Sequence, residues 1–485
     1  MRGSILKIYD EKRQNPEQFC LFFQGGLYMS SSSRIELFES EKLSKAIPAL
    51  CIPTVASSLV TIVYSLADTF FVGMLNNPVQ TAAVSLASPV LLAFNAVNNL
   101  FGVGSSSMMS RALGVSDFKT LHQSSSFGFY GAIFFGALFS LACAVFLNPL
   151  TILLGADAST SAATQTYLFW TVILGAVPSI LNVVMAYFVR SEGATLHASI
   201  GTMSGCFLNM ILDPIFILGF HMEAQGAALA TFISNCVAVA YFFCYLFFKR
   251  KSTFVSISPK DFTLKKNIVF GVCSVGIPAS IQNLLNVASQ MLLNNLAAGY
   301  GTATVAGMGI AARVNTVPIY LNMGISQGVM PLFGYCYSAK LKERFQSAVS
   351  LTFKILMVVM ISMTVIYEIF PETLVSVFIA NPETVAAGSF LIRGMALAVP
   401  FLVTDFLAVF VFQSVGLGSR SLIMALTRKL VLEIPAMFIL NALFGWRGLG
   451  FAQFLAEFVM AVFGMFLLRR FINSWMSEEY VPKTA

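Results

Sequence analysis

The stretch IVYSLADTFFVGML, residues 62–75, is apolar enough to cross a lipid bilayer as helix, yet it carries one carboxylate, Asp68. A second stretch, FLNMILDPIFILGF at 207–220, repeats the pattern with Asp213. A carboxylate at bilayer depth costs about 3 kcal/mol or more unless it is paired, hydrated or employed. Two such residues in one chain call for a shared explanation.

The surrounding composition fits a membrane protein. Of 485 residues 57% are hydrophobic and only 11% charged, and the mean hydropathy is +0.79, leaving too little polar surface to cover a soluble globule. Roughly 20 apolar residues are needed per helical crossing. Twelve candidate spans satisfy this, at 47–75, 82–107, 127–147, 166–189, 196–219, 227–248, 268–298, 303–330, 348–370, 386–412, 421–443 and 449–468. The fifth, rich in Ser, Gly and Asn, is the least apolar. No alternating ten-residue pattern suggests a β-barrel, so the expected fold is an all-α polytopic membrane protein.

A net charge of +7 does not require a nucleic-acid partner, because the basic residues mark one face of the membrane. With the amino terminus inside, Lys42, Lys45, Arg111, Lys119, Arg190, the run from Lys249 to Lys266, Lys340, Lys342, Arg344 and Arg420 all fall on the cytoplasmic side, and Arg447 alone falls opposite. Both termini are therefore expected to be cytoplasmic. The eight cysteines are scattered, which supports neither a disulfide framework nor a zinc site.

An internal repeat organises the spans. Pro53 recurs as Pro278, TAAV at Thr81 as TATV at Thr302, Pro178 as Pro400, RSEG at Arg190 as QSVG at Gln413, Pro214 as Pro435 and GAALAT at Gly226 as GLGFAQ at Gly448, all 220–225 residues apart. Two six-helix halves in the same orientation leave a cleft between them. The expected division is an extension 1–33, an N-terminal lobe 34–248, a basic linker 249–267, a C-terminal lobe 268–470 and a tail 471–485. Residues 1–28 differ in texture from the rest, and translation is expected to start at Met29. RIELFESEKLSKAI, from Arg34, reads as an amphipathic lead-in lying on the inner membrane surface.

Both aspartates sit on odd-numbered spans, seven residues from the outer end, hence roughly 10 Å below the outer hydrocarbon edge. Helical spacing places Tyr64 on the face of Asp68 and Asn209 on the face of Asp213, and Thr231 of the sixth span reaches a similar depth. Two carboxylates in a low dielectric do not both stay charged without compensation, so the cluster is expected to bind a proton, or a sodium ion at Asp68, Asn209, Asp213 and Thr231. The second half has Leu293 or Asn294 in place of Asp68 and Ile434 in place of Asp213. Asp405, within AVPFLVTDFLAVF, is a further candidate for lining the cleft or coupling to the cation. The 46 Phe and 22 Met suit amphipathic or cationic small-molecule ligands on an adaptable surface.

These residues resemble the multidrug and toxic compound extrusion (MATE) transporters. The likeness runs from about Glu39 to Arg470 and is carried by ADTFFVG at Ala67, SRALG at Ser110, RSEG at Arg190, NMILDPIFI at Asn209, GAALAT at Gly226 and SQGVMPLFGY at Ser326. It implies two lobes around a central cavity and export of drugs or organic cations by alternating access, in exchange for protons or sodium, with no cofactor and no enzymatic step. It also assigns Tyr64, Asp68, Asn209, Asp213 and Thr231 to a first-lobe cation site. The seventh span has no acidic residue, which sets this chain closer to the damage-inducible and Gram-positive multidrug branches than to the branch with an acidic seventh helix. The expected protein is a monomer of the cell membrane. A flippase for a lipid-linked precursor or phospholipid is the alternative.

Overall fold

The computed structural model describes residues 31–75 and 77–477; the expected start at Met29 and most of the 471–485 tail lie outside them. Twelve long helical segments follow one another among the described residues. In the first lobe they are α1 (Leu43–Gly73), α2 (Pro78–Gly114), α3 (Phe118–Val145), α4 (Ser161–Leu174 and Ala176–Ser191), α5 (Thr195–Gly219) and α6 (Glu223–Phe248). The second lobe comprises α7 (Lys266–Ala298), α8 (Thr302–Ser338), α9 (Lys342–Ile369), α10 (Pro382–Ala396 and Val399–Ser414), α11 (Gly418–Leu426, Thr427–Glu433 and Ile434–Phe444) and α12 (Trp446–Met476). Eight are long and apolar enough to cross a membrane singly, and α4 and α10 qualify as bent pairs. Only α8 and α11, which carry Arg313 or Arg428 and Lys429, are too polar by composition alone. Large apolar side chains on the outer faces, such as Phe134, Leu141, Val358, Ile369, Val462 and Phe466, are exposed, as a lipid-facing surface requires.

The repeat extends to individual hydrogen bonds. Helices α4 and α10 bend by 47° and 48° just before Pro178 and Pro400, whose rings cannot continue the backbone ladder. At the first break Ser140 donates its hydroxyl to Ile173 O; at the second Thr364, in the equivalent place on α9, donates to Ala396 O (3.1 Å). Pro214 and Pro435 likewise adjoin π-helical turns, Ile215–Gly219 in α5 and Thr427–Glu433 in α11. Short helices Leu147–Leu153 and Pro371–Ser376 precede the bent helix in each lobe.

The lobes meet mainly where α1 crosses α8 and α2 crosses α7, and the Gly104–Gly114 end of α2 also packs on α8. Glycine makes the second possible, since a Cβ on Gly104 would lie 2.5 Å from Val272 O and one on Gly276 would run into Leu100 O. Among the described residues the interlobe bonds run from mid-depth toward the linker end: Ser107 Oγ donates to Gln413 O (2.5 Å), Arg190 to Gln327 Oε1 (3.3 Å) and Ser280 Oγ to Ala96 O (2.6 Å).

One expectation needs correction here. The lead-in, helical over Ser31–Glu39, does not rest on the membrane surface but is wedged between the lobes, with Phe38 fully buried. Arg34 pairs with Glu192 (2.7 Å), whose carboxylate also accepts from Tyr245 OH, Thr253 Oγ1 and Phe254 N. From the other lobe Arg344 donates to Leu37 O, Phe38 O and Glu41 O, the unsatisfied carbonyls at the helix end. An amphipathic pattern fits either setting, and the two arginines decide between them. The linker is docked as well: Ser125, Ser126 and Tyr130 of α3 donate to Ser256 O, Ser258 O and Ile257 O.

Candidate functional site

Helices α1 and α5 pack closely side by side, and α6 packs on α5. This brings the five first-lobe candidates together. Asn209 and Asp213 are buried, one helical turn apart. With its amide oriented to satisfy both neighbours, Asn209 donates to Asp213 Oδ2 (2.8 Å) and accepts from Thr231 N (3.1 Å) and Thr231 Oγ1 (3.2 Å). The Tyr64 hydroxyl is within hydrogen-bonding reach of Thr231. Asp68 lies one turn further along α1, within electrostatic reach of Asp213, and its buried Oδ1 has no hydrogen-bond partner in the structure. Among the described residues no lysine or arginine stands close enough to compensate either acid.

Tyr167 of α4 also belongs to the site, within reach of Asp68, Tyr64 and Asp213. Spacing along the sequence gave no sign of it, because the bend in α4 sets which face it presents. Tyr64, Asn209 and Thr231 form one wall of a cavity of about 310 Å³ whose other polar groups include Asn95, Asn98, Asn182 and Asn235. Asn182 donates to Asn235 Oδ1 (3.0 Å), while Asn98 Oδ1 and Ser234 Oγ are buried without partners. Amides recurring within apolar spans were the available signal for this chamber. Two carboxylates, an amide, a phenol and a hydroxyl next to a drug-sized cavity make an oxygen-rich setting for a small cation.

Asp405 lies elsewhere, in the second lobe. It accepts from Arg428 (2.7 Å), which also pairs with Glu457 (3.4 Å) and donates to Asn286 Oδ1 (2.8 Å). The π-helical turn of α11 adds Lys429, paired with Glu433 (2.6 Å), to which Ser289 also donates. Arg428, Lys429 and Glu457 border a cavity of about 250 Å³ between the lobes, lined as much by amides such as Gln282, Gln327 and Gln413 as by apolar side chains, and reached from the first lobe by Asn99 and Tyr187. Arg393 and Arg313 remain exposed, and Arg447 stacks on Phe390 and Trp446.

Comparison with known proteins gives a consistent picture. The sequence pattern of the family described as MatE matches residues 53–215 and 278–439, one match per lobe. The chain is 31% identical over 432 residues to the multidrug export protein MepA of Staphylococcus haemolyticus (strain JCSC1435), covering 89% of this chain and 94% of that one. MepA of Staphylococcus aureus (strain NCTC 8325 / PS 47) gives the same figures. Among solved structures, one described as the outward-facing conformation of a multidrug resistance MATE family transporter of the MOP superfamily superposes with a TM-score of 0.86 at 24% identity, over 91% of this chain and 98% of that one. A MATE crystal structure in the straight conformation gives 0.86 at 25% identity, over 91% and 99%.

Proposed function

The chain belongs to the MatE family, and on that premise we propose that this multidrug efflux transporter is an antiporter driven by protons or sodium ions, working as a monomer in the cell membrane with both termini cytoplasmic. It is a multi-pass membrane transporter and not an enzyme. The observation that carries the coupling is the first-lobe cluster, where Asp68 and Asp213 approach each other with neutral oxygens around them and no fixed cation.

Coupling then follows from competition between packings. A proton or sodium ion held by Asp68, Asp213, Asn209 and Thr231 stabilises one arrangement of α1 against α5 and α6, and a cationic or amphipathic drug in the adjoining cavity stabilises another. Each ligand lowers the affinity for the other by the same factor. Interlobe bonds that, among the described residues, run from mid-depth toward the linker end support a state open on the opposite side, and rocking about the α1/α8 and α2/α7 crossings would expose the cavity alternately. The division into lobes 34–248 and 268–470 about the linker is part of this reading.

The test is dye efflux from vesicles carrying the full chain, with proton and sodium gradients imposed separately and a panel of cationic dyes. Efflux that follows one gradient identifies the coupling ion. Efflux indifferent to both, or movement of a labelled phospholipid in place of dye, would sink the proposal.

A further inference from the structure

A groove of about 1260 Å³ lies away from the acids, on the flank of the second lobe between α9, α10 and α12. Its apolar head forms where α10 bends before Pro400, with Phe401 and Thr404 beside Phe458 of α12 and Met357 of α9. From there α12 contributes Phe458, Val462, Met465 and Phe466, then Arg469 and Arg470, and lastly Asn473. This spacing of three and four residues draws a single stripe along the helix. The twelve steps along the helix from Phe458 to Arg470 rise roughly 18 Å, close to half of a hydrocarbon core about 30 Å thick. Lys342 Nζ reaches Met476 O (3.4 Å), so the ends of α9 and α12 are level and Phe353 lies at the height of Met465.

The two arginines differ from those held inside the protein, and unlike the exposed Arg313 and Arg393 they border this groove. Arg34, Arg344 and Arg428 are held by carboxylates or carbonyls, and Arg420 lies over Phe412 and Phe471. Arg469 and Arg470 are exposed, and among the described residues neither has an ion-pair partner. An apolar slot one leaflet deep that ends in two adjacent guanidinium groups matches one kind of occupant. We propose that the groove binds an anionic phospholipid from the leaflet on the linker side, its acyl chain along Phe401, Phe458 and Phe466 and its phosphate at Arg469 and Arg470. Guanidinium pairs well with phosphate oxygens, and a zwitterionic headgroup would bring its own cation to the same spot.

Full-length protein in non-ionic detergent, titrated with phosphatidylglycerol or with phosphatidylcholine of the same chain length, tests this, with bound lipid counted by native mass spectrometry. At about 1 kcal/mol per basic residue, the anionic lipid should bind about 30-fold more tightly. The Arg469→Gln/Arg470→Gln double variant, altered only at exposed positions, should lose that preference while still binding both lipids. Ala461 of α12 also lines the groove, and Ala461→Trp, which fills it, should weaken both. Glycerol phosphate at the same concentration should not displace the lipid. Equal affinity of the wild type for the two lipids, an unchanged preference in the double variant, or displacement by glycerol phosphate would each overturn the proposal. Lipid binding here is independent of ion coupling in the first lobe, so either can fail alone.

Discussion

The two lobes are built on one plan and treat the buried charges within their long helices in opposite ways. In the first, Asp68 and Asp213 lie within electrostatic reach of each other among neutral oxygens. In the second, Asp405, Glu433 and Glu457 are tied by Arg428 and Lys429. In the register set by Pro214 and Pro435, Arg428 and Lys429 stand where α5 has Phe207 and Leu208, and Glu457 stands where α6 has Asn235. A cation tethered to the backbone cannot leave. On the proposed coupling, acids lacking one are neutralised by a cation that comes and goes, which sets a lobe for exchange against a lobe that holds its shape.

The strongest way to break that comparison is to neutralise the acids. Asp213→Asn and Asp68→Asn should each bring coupled dye efflux down to that of protein-free vesicles, while the purified proteins keep wild-type helicity. Asp405→Asn should leave a measurable gradient response, since Arg428 retains Glu457 as partner. Full efflux from both first-lobe variants, or its loss only in Asp405→Asn, would reverse the assignment of roles.

Removing the tethered cation should act on stability. Arg428→Met leaves Asp405 and Glu457 buried without compensation, and losing one partner of such a pair costs about 3–5 kcal/mol. The triple variant Arg428→Met/Asp405→Asn/Glu457→Gln should recover most of this, because no uncompensated charge remains. Thermal unfolding in detergent measures both. If Arg428→Met folds normally and its efflux gains a second proton or sodium ion per cycle, the second lobe is an exchange site whose cation had merely been supplied in cis.

The sequence carries much of this contrast, though not all of it. Prolines and glycines recurring at a constant offset mark the lobes, because bends and close crossings need those residue types wherever they fall. The five first-lobe residues could be grouped because Tyr64 with Asp68 and Asn209 with Asp213 are each one helical turn apart and Thr231 falls at a similar depth. The pairing of Asp405 with Arg428 was not legible: it joins α10 to α11 through a π-helical turn that shifts the helical register. Tyr167 escaped for a similar reason at the bend of α4. The lead-in from Arg34 was misplaced because amphipathicity reports a face to bury without saying whether lipid or protein covers it.

A smaller effect sharpens the picture of the first lobe. Thr231→Val keeps the shape of the side chain but removes the hydroxyl shared by Asn209 and Tyr64. One such hydrogen bond is worth about 1 kcal/mol, so half-maximal efflux should need about five- to tenfold more of the coupling cation, with the maximal rate retained. An unchanged cation requirement would remove Thr231 from the site.

The smallest effects concern what the lobes share. Thr364→Val and Ser140→Ala each delete a hydroxyl that bridges to the break in the neighbouring bent helix, and each should cost about 1 kcal/mol, read as a lower unfolding temperature. The two losses should not be equal. Pro400 has no amide proton, so Ala396 O has lost its helical donor, and Ala396 is fully buried; removing Thr364 strands that carbonyl away from water. Ile173 is only half-buried, and its carbonyl can be solvated when Ser140 is removed. Thr364→Val should therefore be the more harmful of the pair, which would make the second lobe the stiffer one at its bend as well as in its charges. Equal losses would mean that the bends are alike and that the lobes differ in their charged residues alone.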